Sequence, residues 1–442
     1  MANDNKVIVR FPPSPTGLFH IGNARTFLFN YLFAKQNNGK IVFRSEDTDK
    51  ERSKQEYADD IIENLKWLGI EPDFSTTVKQ SERSDIYKKY LQKLIDEGKA
   101  YLSKEETVEE GQRDEVIRFK NPNKKIKFND LIRGDIEFDT TELKDFIIAK
   151  SLDEPVYHLA VVVDDFEMGV THVIRGDDGI SNTPRQILIQ EALQAPRPIY
   201  AHLPMILATD KTKLSKRKHG ETVSVSYYRE KGYLPEAIIN FLAMMGWNPG
   251  TDQEIFSMNE LIKIFDIQKV QKKGAIFNIE KLDWLNREYI LRLSDEDKFS
   301  IFNFQFSNTK FKDNEKKNNR EFMEKLLKIF LDRIHRWGEV AELLNTDEYD
   351  YLFDKPALKK EKICWKNQTP ENARENLKKV SEILNDKEKI MRYANEAGKG
   401  NVLWPLRYTL SGKEKSPDPF TLIDILGIEE SKNRIQNAIQ LL

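Results

Sequence analysis

Hydrophobic and polar positions along the first hundred residues alternate between strand-like and helix-like spacing. The runs KVIVRF (6–11) and KIVFRSEDTD (40–49), the second of which ends in acids, are predicted to be short strands. Between them, apolar residues recur at helical spacing over 24–36. This order of strand, helix and strand predicts a parallel sheet with covering helices.

Two more helices are predicted after the second strand. Ser53 and Glu56 have the spacing of a capping box, and Gly69 lies where the helix that they begin would end. A further helix is predicted over 84–97, with Gly98 as its end. Both helices suit the covering layer of the predicted sheet.

The pattern changes after residue 100. Short alternating runs among charged turns over 101–152 predict a small and mostly β insertion. The apolar runs VYHLAVVVDD (156–165) and HVIRGDD (172–178) are interpreted as buried strands that return to the sheet. LPMIL (203–207) is predicted to be another apolar strand.

Beyond residue 247 the spacing is almost entirely helical. Ser257 and Glu260 form another capping-box pattern, and one long helix is predicted over 322–344. The charged, weakly patterned stretch 308–320 is interpreted as a linker or an exposed loop. The chain is therefore predicted to be α/β, with a parallel sheet, a small inserted α+β domain and an all-α C-terminal region.

Composition narrows the class of protein. A chain of 442 residues is too long to fold around a single hydrophobic core of ordinary size, so we expect roughly two to four domains. Hydrophobic residues make up 39% and charged residues 32%, a soluble balance, and we expect no membrane span and no secretory signal. The single cysteine, Cys364, excludes an internal disulfide and a cysteine-based zinc cluster, and we expect a cytoplasmic location.

The segment FPPSPTGLFHIGN (11–23) joins the first strand to the next helix. Because a helix N-terminus offers free N–H groups and the positive end of the dipole, it is suited to binding an anion. Gly17 lets the loop turn, Gly22 lets a ligand approach the backbone, and His20 can donate a hydrogen bond to a phosphate oxygen. Arg10, at the strand end, is suited to gripping a carboxylate. The alternative is a proline-rich turn with a surface histidine.

The segment DKTKLSKRKHG (210–220) carries five basic residues between Lys211 and Lys218. A basic loop of this kind can close on a triphosphate, where Lys213 and Lys216 would neutralise charge on the leaving group. No GxxxxGK[ST] pattern lies near it, so it is not a P-loop. The alternatives are a solvated charged loop or a general nucleic-acid patch.

Together, the two segments resemble the paired signatures of class I aminoacyl-tRNA synthetases. Residues 20–23 (HIGN) occupy the HIGH-type motif and residues 213–217 (KLSKR) the KMSKS-type motif. The fuller pattern is similar to the bacterial glutamyl-tRNA synthetase branch, closely over the first 250 residues and more loosely through the helical tail. The segments that carry this resemblance are RFPPSPTG, FRSEDTD, YHLAVVVDD, VIRGDD, SNTPRQ, KLSKRKHG and NVLWPLRYTLSG.

The resemblance implies a division of the chain into four parts. A Rossmann-type catalytic domain would cover 1–100 and 176–240, interrupted by a short acceptor-end-binding insertion over 101–175. A helical stem-contact domain would follow over 241–318, and an α-helical anticodon-binding domain over 319–442.

The resemblance also implies roles for single residues. His20 and Lys216 would be catalytic, because they hold the phosphates and stabilise the charge on pyrophosphate. Arg10 and Arg175 would meet carboxylates and Glu46 the amino group of the amino acid. The residues expected to bind glutamate are Arg10, Ser14, Glu46, Tyr157 and Arg175. The residues expected to bind ATP are Pro13, Thr16, Gly17, His20, Gly22, Asn23, Lys213, Leu214, Ser215, Lys216 and Arg217.

Plainer interpretations of the glutamate-site residues stay open from sequence alone. Glu46 would then belong to an acidic strand end, Tyr157 to ordinary core packing, and Arg175 to a structural ion pair with Asp177. Two positions depart from the family pattern. Asn23 replaces the second histidine of the generic motif, and Gly179 stands where many members have a histidine, so Gly179 receives no role.

The implied reaction is the ATP-dependent ligation of L-glutamate to tRNA(Glu). The glutamate α-carboxylate attacks the α-phosphorus of ATP, pyrophosphate leaves, and the glutamyl group moves to the terminal ribose of the tRNA with release of AMP. We expect Mg²⁺ to accompany the triphosphate and, because the insertion has no cysteine, no zinc. We expect the protein to be a monomer that binds glutamate, ATP and tRNA. We expect it not to bind a membrane.

The helical tail would serve the tRNA. The net charge of the whole chain is only −2, which does not indicate a nucleic-acid partner. Binding of tRNA must therefore rely on local basic patches. Trp365, Trp404 and Arg407 are aromatic and cationic residues suited to unpaired bases. The plainer interpretation is amphipathic helices with solvated lysines. The basic clusters are Lys269, Lys272 and Lys273, and then Lys355, Lys359, Lys360, Lys362 and Lys366.

Several other functions compete with this interpretation. A free nucleotidyltransferase and a tRNA-base-modifying glutamyl transferase would not need the long tail, and a glutaminyl enzyme would have a β-barrel anticodon module. A catalytically dead tRNA-binding paralogue would not need His20, Lys216, Arg10 and Glu46 together. The sequence leaves open whether tRNA(Gln) is charged with glutamate as well, and whether activation waits for tRNA.

Overall fold

The computed structural model describes residues 6–49, 51–104 and 115–442. The chain divides into two compact units, one up to Leu285 and one over Asn286–Leu442. The expectation of no secretory signal falls partly on residues outside the described ranges, and so does part of the predicted insertion.

The first unit is an α/β structure built on several small sheets. Its strands are β1 (Ile8–Phe11), β2 (Lys40–Ser45), β3 (Val78–Lys79), β4 (Ala100–Lys104), β5 (Glu115–Phe119), β6 (Lys125–Asp130), β7 (Gly134–Asp139), β8 (Phe146–Ser151), β9 (Glu154–Pro155), β10 (His172–Gly176), β11 (Ile199–Leu203), β12 (Ile206–Leu207) and β13 (Ala275–Ile276). Its helices are α1 (Ile21–Gln36), α2 (Gln55–Trp67), α3 (Ser84–Asp96), α4 (Tyr157–Glu167), α5 (Thr183–Leu193), α6 (Lys216–His219), α7 (Val225–Glu230), α8 (Pro235–Met244), α9 (Met258–Ile264) and α10 (Ile279–Arg292), which spans the division.

The predicted parallel sheet is present. Strands β1, β2 and β3 are parallel neighbours, and β10 pairs in parallel with β11. The amide of Thr171 donates to the carbonyl of Ile8 at 2.9 Å, and the amide of Ile8 donates to the Thr171 hydroxyl at 2.8 Å. These two bonds join the start of β10 to β1, so β1, β10 and β11 lie side by side.

The core of this unit surrounds α1. Phe27, Leu28 and Phe29 are all fully buried, although they are consecutive, because α1 packs on β1 and β2 as well as on α8 and α9. The helix begins at Ile21, three residues before the predicted start, and His20 is its N-cap. This early start places the cap directly at the end of the loop that leaves β1.

The insertion is mostly β, as the alternating runs predict, but it does not form one separate sheet. Strands β4, β5, β8 and β9 form an antiparallel sheet, whereas the β6–β7 hairpin pairs with β11 through Asp130 and Tyr200. The hairpin therefore extends the sheet that carries β10 and β11, and its Asp130 reaches the interior of that sheet.

Residues 157–165 are helical, and the prediction of a strand over 156–165 is wrong. They form most of α4, in which every side chain from Leu159 to Asp165 is buried. Helix α4 packs against α3, α5 and β8, so it is apolar nearly all round. Periodicity does not distinguish a helix buried on all sides from a buried strand.

The predicted capping box at Ser53 and Glu56 is wrong. Helix α2 begins at Gln55 with Lys54 as an N-cap that makes no side-chain capping bond. The amide of Ser53, which the predicted box requires, donates instead to the carbonyl of Asp49 at 2.9 Å, and the Lys54 amide donates to the carbonyl of Pro15 at 3.0 Å. The capping box at Ser257 and Glu260 is confirmed, with both reciprocal bonds formed.

The run 203–207 is not one strand. Strand β11 ends at Leu203, and β12 begins at Ile206 and pairs with β13 instead. Pro204 has no N–H to donate to a ladder, which breaks the run. The carbonyl of Pro204 accepts one hydrogen bond from the buried side chain of Arg25.

The second unit is helical among the residues described. The predicted long helix over 322–344 is wrong, because Trp337 is buried between two shorter helices and Glu339 accepts from the amide of His335 at 2.6 Å. The stretch 308–320 is largely exposed, but its Phe311 stacks on Phe353 at 3.8 Å, so it is a loop within this unit. The remaining helices are α11 (Asp295–Phe306), α12 (Arg320–Leu331), α13 (Gly338–Leu344), α14 (Lys360–Ile363), α15 (Pro370–Glu382), α16 (Lys387–Ala397), α17 (Lys399–Ser411), α18 (Pro419–Leu426) and α19 (Ile428–Leu441).

Candidate active site

A cavity of about 670 Å³ opens where β1, β10 and β11 end in the first unit. Ligands of open α/β sheets bind at the carboxyl ends of the strands, which is where this cavity lies. Most residues predicted for the site line it, from both predicted ligand sets. They are Arg10, Pro13, Ser14, Thr16, His20, Gly22, Asn23, Glu46, Tyr157, Arg175, Lys213, Leu214 and Ser215.

Three predicted residues are not part of this lining. Gly17 does not border the cavity, and its backbone is not left-handed, so the loop does not need glycine there to turn. Lys216 and Arg217 continue the basic loop into α6, and only their backbone is described.

His20 is fixed by the helix that it caps. Its Nδ1 accepts the amide hydrogen of Gly22 at 2.9 Å. Burial, followed by the nearby charge of Lys213, lowers the pKa of His20, which keeps the imidazole neutral. A neutral ring that accepts at Nδ1 carries its proton at Nε2. The site therefore offers a neutral N–H donor beside the free amides of α1.

The loop that carries KLSKR is anchored at its first half. The amide of Leu214 donates to the carbonyl of Ile206 at 3.0 Å, and the Leu214 side chain is buried. Lys213 is largely exposed, with its Nζ 3.5 Å from Asp178, a weak surface contact that a phosphate could displace. The loop thus brings the ammonium group of Lys213 to the rim of the cavity on a fixed base.

The His20 turn and the basic loop face the same cavity. Residue 20 forms an isolated β-bridge with Ser224, which follows the basic loop, and the amide of Val225 donates to the carbonyl of Phe19 at 2.9 Å. Lys213 is close enough to His20 for its charge to shift the pKa of the imidazole. Two segments nearly two hundred residues apart therefore border one space.

Buried charges form a compact cluster behind the cavity wall. The fully buried Arg44 guanidinium donates to Asp165 at 2.8 Å and to Glu46 at 3.1 Å. Arg10, which is 3% exposed, donates through Nε to Asp165 at 3.5 Å, and no other hydrogen bond of its guanidinium to a described residue is present. The terminal nitrogens of Arg10 are thus available to a bound anion. Asp164 supports Arg44 from behind, with Arg44 Nε 3.6 Å from its carboxylate.

The surroundings of the cluster shift the pKa values of Glu46 and Asp165 in opposite directions. Burial raises the pKa of Glu46, although the charges of Arg44 and Arg10 oppose that shift. Burial also acts to raise the pKa of Asp165, but Arg44 and Arg10 outweigh it and the pKa falls below its ordinary value. Asp165 is therefore held as an ionised partner of Arg44 and Arg10. A cation that binds beside Glu46 would favour the ionised form of Glu46.

Arg175, at the end of β10, also borders the cavity, and it is 8% exposed. It makes hydrogen bonds to His202, Gln186 and Thr183, none of which is an acid. Asp177 pairs with Arg133 at 3.0 Å instead, so the alternative of an Arg175–Asp177 ion pair is wrong.

Sequence reasoning missed several residues that line the cavity. Asp178 and Asn182 lie in segments that the resemblance already quotes, and Thr26 follows Gly22 by one helical turn. The missed residues are Phe11, Pro12, Arg25, Thr26, Ile174, Gly176, Asp177, Asp178, Gly179, Asn182, Pro204, Met205 and Ile206.

Two further observations concern the parts of the chain that the structure describes. Within 6–49, 51–104 and 115–442, no group of three or more His, Cys, Asp or Glu side chains is arranged to hold a metal ion. No helix in these ranges combines the length and the apolar character needed to cross a membrane.

The parallel sheet, the capped helix start at its edge and the basic loop facing it define a nucleotide-binding α/β domain. The chain belongs to the class I tRNA synthetases of the E and Q type: residues 6–115 and 102–284 match the catalytic domain of that family. Residues 303–439 match an anticodon binding domain.

Relatives are similar along nearly the whole chain. A glutamate–tRNA ligase of Carboxydothermus hydrogenoformans is 42% identical, covering 98% of this chain and 99% of the relative. One from Aquifex aeolicus is 40% identical, covering 99% and 100%. A crystal structure of a glutamate tRNA ligase from Elizabethkingia meningosepticum, in complex with its amino acid, superposes with a TM-score of 0.83 at 33% identity, covering 98% of this chain and 99% of that one.

Proposed function

We propose that this protein ligates L-glutamate to tRNA in an ATP-dependent reaction through a glutamyl-adenylate. Its family and its full-length similarity to glutamate–tRNA ligases support this activity. One observation in the molecule carries it furthest. The buried guanidinium groups of Arg10 and Arg175 border the same cavity as the carboxylate of Glu46 and the neutral imidazole of His20.

Glutamate has two carboxylates and one amino group, and the cavity has matching groups. Arg10 and Arg175 would each bind a carboxylate, and Glu46 would bind the ammonium group. The ammonium would also favour the ionised form of Glu46, whose pKa burial raises. Ser14 and Tyr157 would donate hydrogen bonds that set the orientation of the substrate.

ATP would lie between the turn and the basic loop. His20 would donate through Nε2 to a phosphate oxygen, with the amides at the start of α1 adding further donors. Lys213 and Lys216 would stabilise the charge that builds on pyrophosphate as it leaves. The remaining residues predicted for ATP binding that border the cavity are Pro13, Thr16, Gly22, Asn23, Leu214 and Ser215, which would form its walls around the nucleotide. Gly17 and Arg217 stay in the predicted set without support from the lining.

The first chemical step needs no general base. The α-carboxylate of glutamate is already ionised, so it attacks the α-phosphorus directly and the P–O bond to pyrophosphate breaks. In the second step the ribose hydroxyl of tRNA attacks the glutamyl carbonyl and AMP leaves. Catalysis is therefore positioning and charge stabilisation by Arg10, Arg175, His20 and Lys216.

Mg²⁺ would enter with ATP. The carboxylates that border the cavity are few and already paired in part, Asp177 with Arg133 and Asp178 with Lys213. This donor set fits an ion held chiefly by phosphate oxygens, which is how Mg²⁺ is usually bound at nucleotide sites. Mg²⁺ would supply charge neutralisation on the triphosphate. The absence of zinc, a monomeric state and a cytoplasmic location remain predictions.

A second candidate is a non-discriminating enzyme that also charges tRNA(Gln) with glutamate. A test of both candidates is a charging assay with labelled glutamate, ATP and each purified tRNA in turn. We expect glutamate-dependent charging of tRNA(Glu), and charging of tRNA(Gln) at a similar rate would establish the broader activity. Failure to charge either tRNA would contradict the proposal and favour a non-catalytic paralogue.

A further inference from the structure

Arg175 is held by neutral groups. Its Nε donates to Nε2 of His202 at 3.1 Å, Nη1 to Gln186 at 2.8 Å, and Nη2 to Thr183 at 2.7 Å. Arg175 and His202 are direct neighbours across the parallel strands β10 and β11. No carboxylate among the described residues forms a hydrogen bond or ion pair with this guanidinium, in contrast to Arg10, which contacts Asp165.

The other side of His202 is fixed by Asp130. Nδ1 of His202 lies 2.6 Å from Asp130 Oδ2, and both side chains are fully buried. A carboxylate only accepts, so Nδ1 carries the proton and Nε2 presents its lone pair to Arg175. Burial is the main cause that lowers the pKa of His202, and it outweighs the opposing effect of Asp130. The imidazole is therefore a neutral acceptor with one defined tautomer.

Asp130 is itself locked in place. Its carboxylate accepts from the amides of Ile132 at 2.9 Å and Arg133 at 2.8 Å, and from the amide of His202 at 3.1 Å. Burial acts to raise its pKa, but these hydrogen bonds and that from the imidazole of His202 outweigh burial and lower it. Asp130 thus orients His202 as an ionised acid on the end of the β6–β7 hairpin, without touching Arg175.

This arrangement orients Arg175 without neutralising it. A carboxylate in direct contact would cancel much of the positive charge of the guanidinium, whereas an interposed neutral imidazole fixes its direction and leaves its charge available. A substrate carboxylate entering the cavity would then meet a cation that no carboxylate of the described residues contacts directly.

Gly179 provides the space for this conformation. A Cβ at position 179 would lie 2.5 Å from Nε of Arg175 and 2.7 Å from its Cδ, too close to be accommodated without movement. Its backbone is not left-handed, so alanine at this position would act on Arg175 through sterics alone. The residue that sequence reasoning left without a role therefore borders the side chain on which carboxylate binding depends.

We propose that His202, oriented by Asp130, is a positioning residue that holds Arg175 for the carboxylate of the amino-acid substrate. This inference rests on the proposed function, because it takes Arg175 as a glutamate-binding residue. The two nitrogens of His202 separate its two links, and two substitutions remove one link each. His202→Asn retains a donor near Nδ1 and loses the acceptor at Nε2, whereas His202→Gln retains an acceptor near Nε2.

The test is steady-state tRNA charging by the full-length protein, with KM measured separately for glutamate and ATP. We expect His202→Asn to raise the glutamate KM roughly tenfold or more, since one bond to a charged group is lost, with the ATP KM nearly unchanged. His202→Gln should have a glutamate KM close to that of the unsubstituted protein. Gly179→Ala should also raise the glutamate KM, and it serves as the second variant if His202→Asn does not fold. His172→Asn, on the same strand as Arg175 and without a hydrogen bond to it, is the control and should leave both KM values unchanged.

The outcomes separate this inference from the proposed function. Arg175→Lys is the reference: if it leaves the glutamate KM unchanged, the assignment of Arg175 itself is wrong. If Arg175→Lys raises the glutamate KM but His202→Asn and Gly179→Ala do not, the positioning role is overturned. Equal increases of the glutamate and ATP KM values in His202→Asn would also overturn it, because they indicate general damage to the fold.

Discussion

Arg44 donates a 2.8 Å hydrogen bond to Asp165 in the interior of the first unit, where the Arg44 side chain is fully buried. The same guanidinium reaches Glu46, and the same carboxylate reaches Arg10. One buried pair therefore stands behind both an acid and a cation that border the cavity. Replacing Arg44 would leave Asp165 with only its longer contact to Arg10 at 3.5 Å, so much of its buried charge would be uncompensated.

We expect Arg44→Met to destabilise the first unit by about 3–5 kcal/mol, the usual cost of an uncompensated buried charge. Urea unfolding followed by a probe in the first unit measures this. Arg229→Met is a matched control, because the contact of Arg229 with Glu63 at 3.4 Å is solvent-exposed, and its loss should cost less than about 1 kcal/mol. Equal effects of the two substitutions would contradict the importance of the buried pair.

His20 has two roles that one substitution separates. In His20→Asn, the side-chain oxygen can still accept from the Gly22 amide, because asparagine is a good N-cap, but the Nε2–H donor is lost. We expect glutamate-dependent ATP–pyrophosphate exchange, measured with tRNA present, to fall by about 10²–10³ with little change in stability. His20→Ala should lose about 1 kcal/mol of stability as well. Full exchange activity in His20→Asn would show that the imidazole does not contact the phosphates.

The sequence predicts the elements on which the site is built, but only some of its chemistry. His20, the basic loop and Arg10 follow from motifs in which the functional residues are close together along the chain. His202 and Asp130 are 72 positions apart, and only the pairing of β6 with β11 brings them together, so no local pattern indicates their contact.

Local signatures also fail where tertiary contacts compete with them. The pairs Ser53–Glu56 and Ser257–Glu260 have the same spacing, yet only the second forms a capping box. At the first, the amide of Ser53 that the box requires donates to the carbonyl of Asp49, and the next amide, that of Lys54, donates to the carbonyl of Pro15. Helix α4 was indistinguishable from a strand for a similar reason, because tertiary packing buries all of its faces and removes the amphipathic signal.

The environment of His158 makes the stability of the first unit depend on pH. Its Nδ1 is buried without a hydrogen-bond partner among the described residues, and burial, together with the charges of Arg185 and Arg175, lowers its pKa to about 4. Between pH 6.5 and 4 the unfolded chain binds a proton that the folded chain does not, so stability falls as the pH falls through this window. The free energy of unfolding falls by about 3 kcal/mol over this window because of His158, and His158 causes no further loss below pH 4.

The melting temperature as a function of pH checks this. His158→Phe should lose stability less steeply between pH 6.5 and 4 than the unsubstituted protein. Identical pH profiles for the protein and His158→Phe would show that the imidazole does not titrate in this way.

Trp365 in the second unit is suited to stacking on an unpaired base. Its ring lies 5.0 Å from that of Trp404, with the Lys366 ammonium 5.1 Å above it. The indole of Trp404 donates to the carbonyl of Lys362 at 3.0 Å, which gives Trp404 a structural role beneath it. If Trp365 stacks on one base, Trp365→Ala should weaken tRNA binding by about 1–3 kcal/mol, or roughly 5- to 150-fold.

Filter binding at fixed salt measures this affinity. Trp365→Phe keeps an aromatic face and should retain most of it. An unchanged dissociation constant in Trp365→Ala, with helical content preserved by circular dichroism, would assign Trp365 to packing alone.

The central claim is that His20 and Lys216 act on the same bound triphosphate. A double-mutant cycle on the rate of glutamate-dependent ATP–pyrophosphate exchange tests it, with His20→Asn, Lys216→Ala and both together, and with tRNA present throughout. Residues that stabilise one transition state are coupled, so the account predicts that the double variant loses much less than the product of the two single losses. Single losses that multiply fully, or a Lys216→Ala protein that exchanges at the unsubstituted rate, would contradict it.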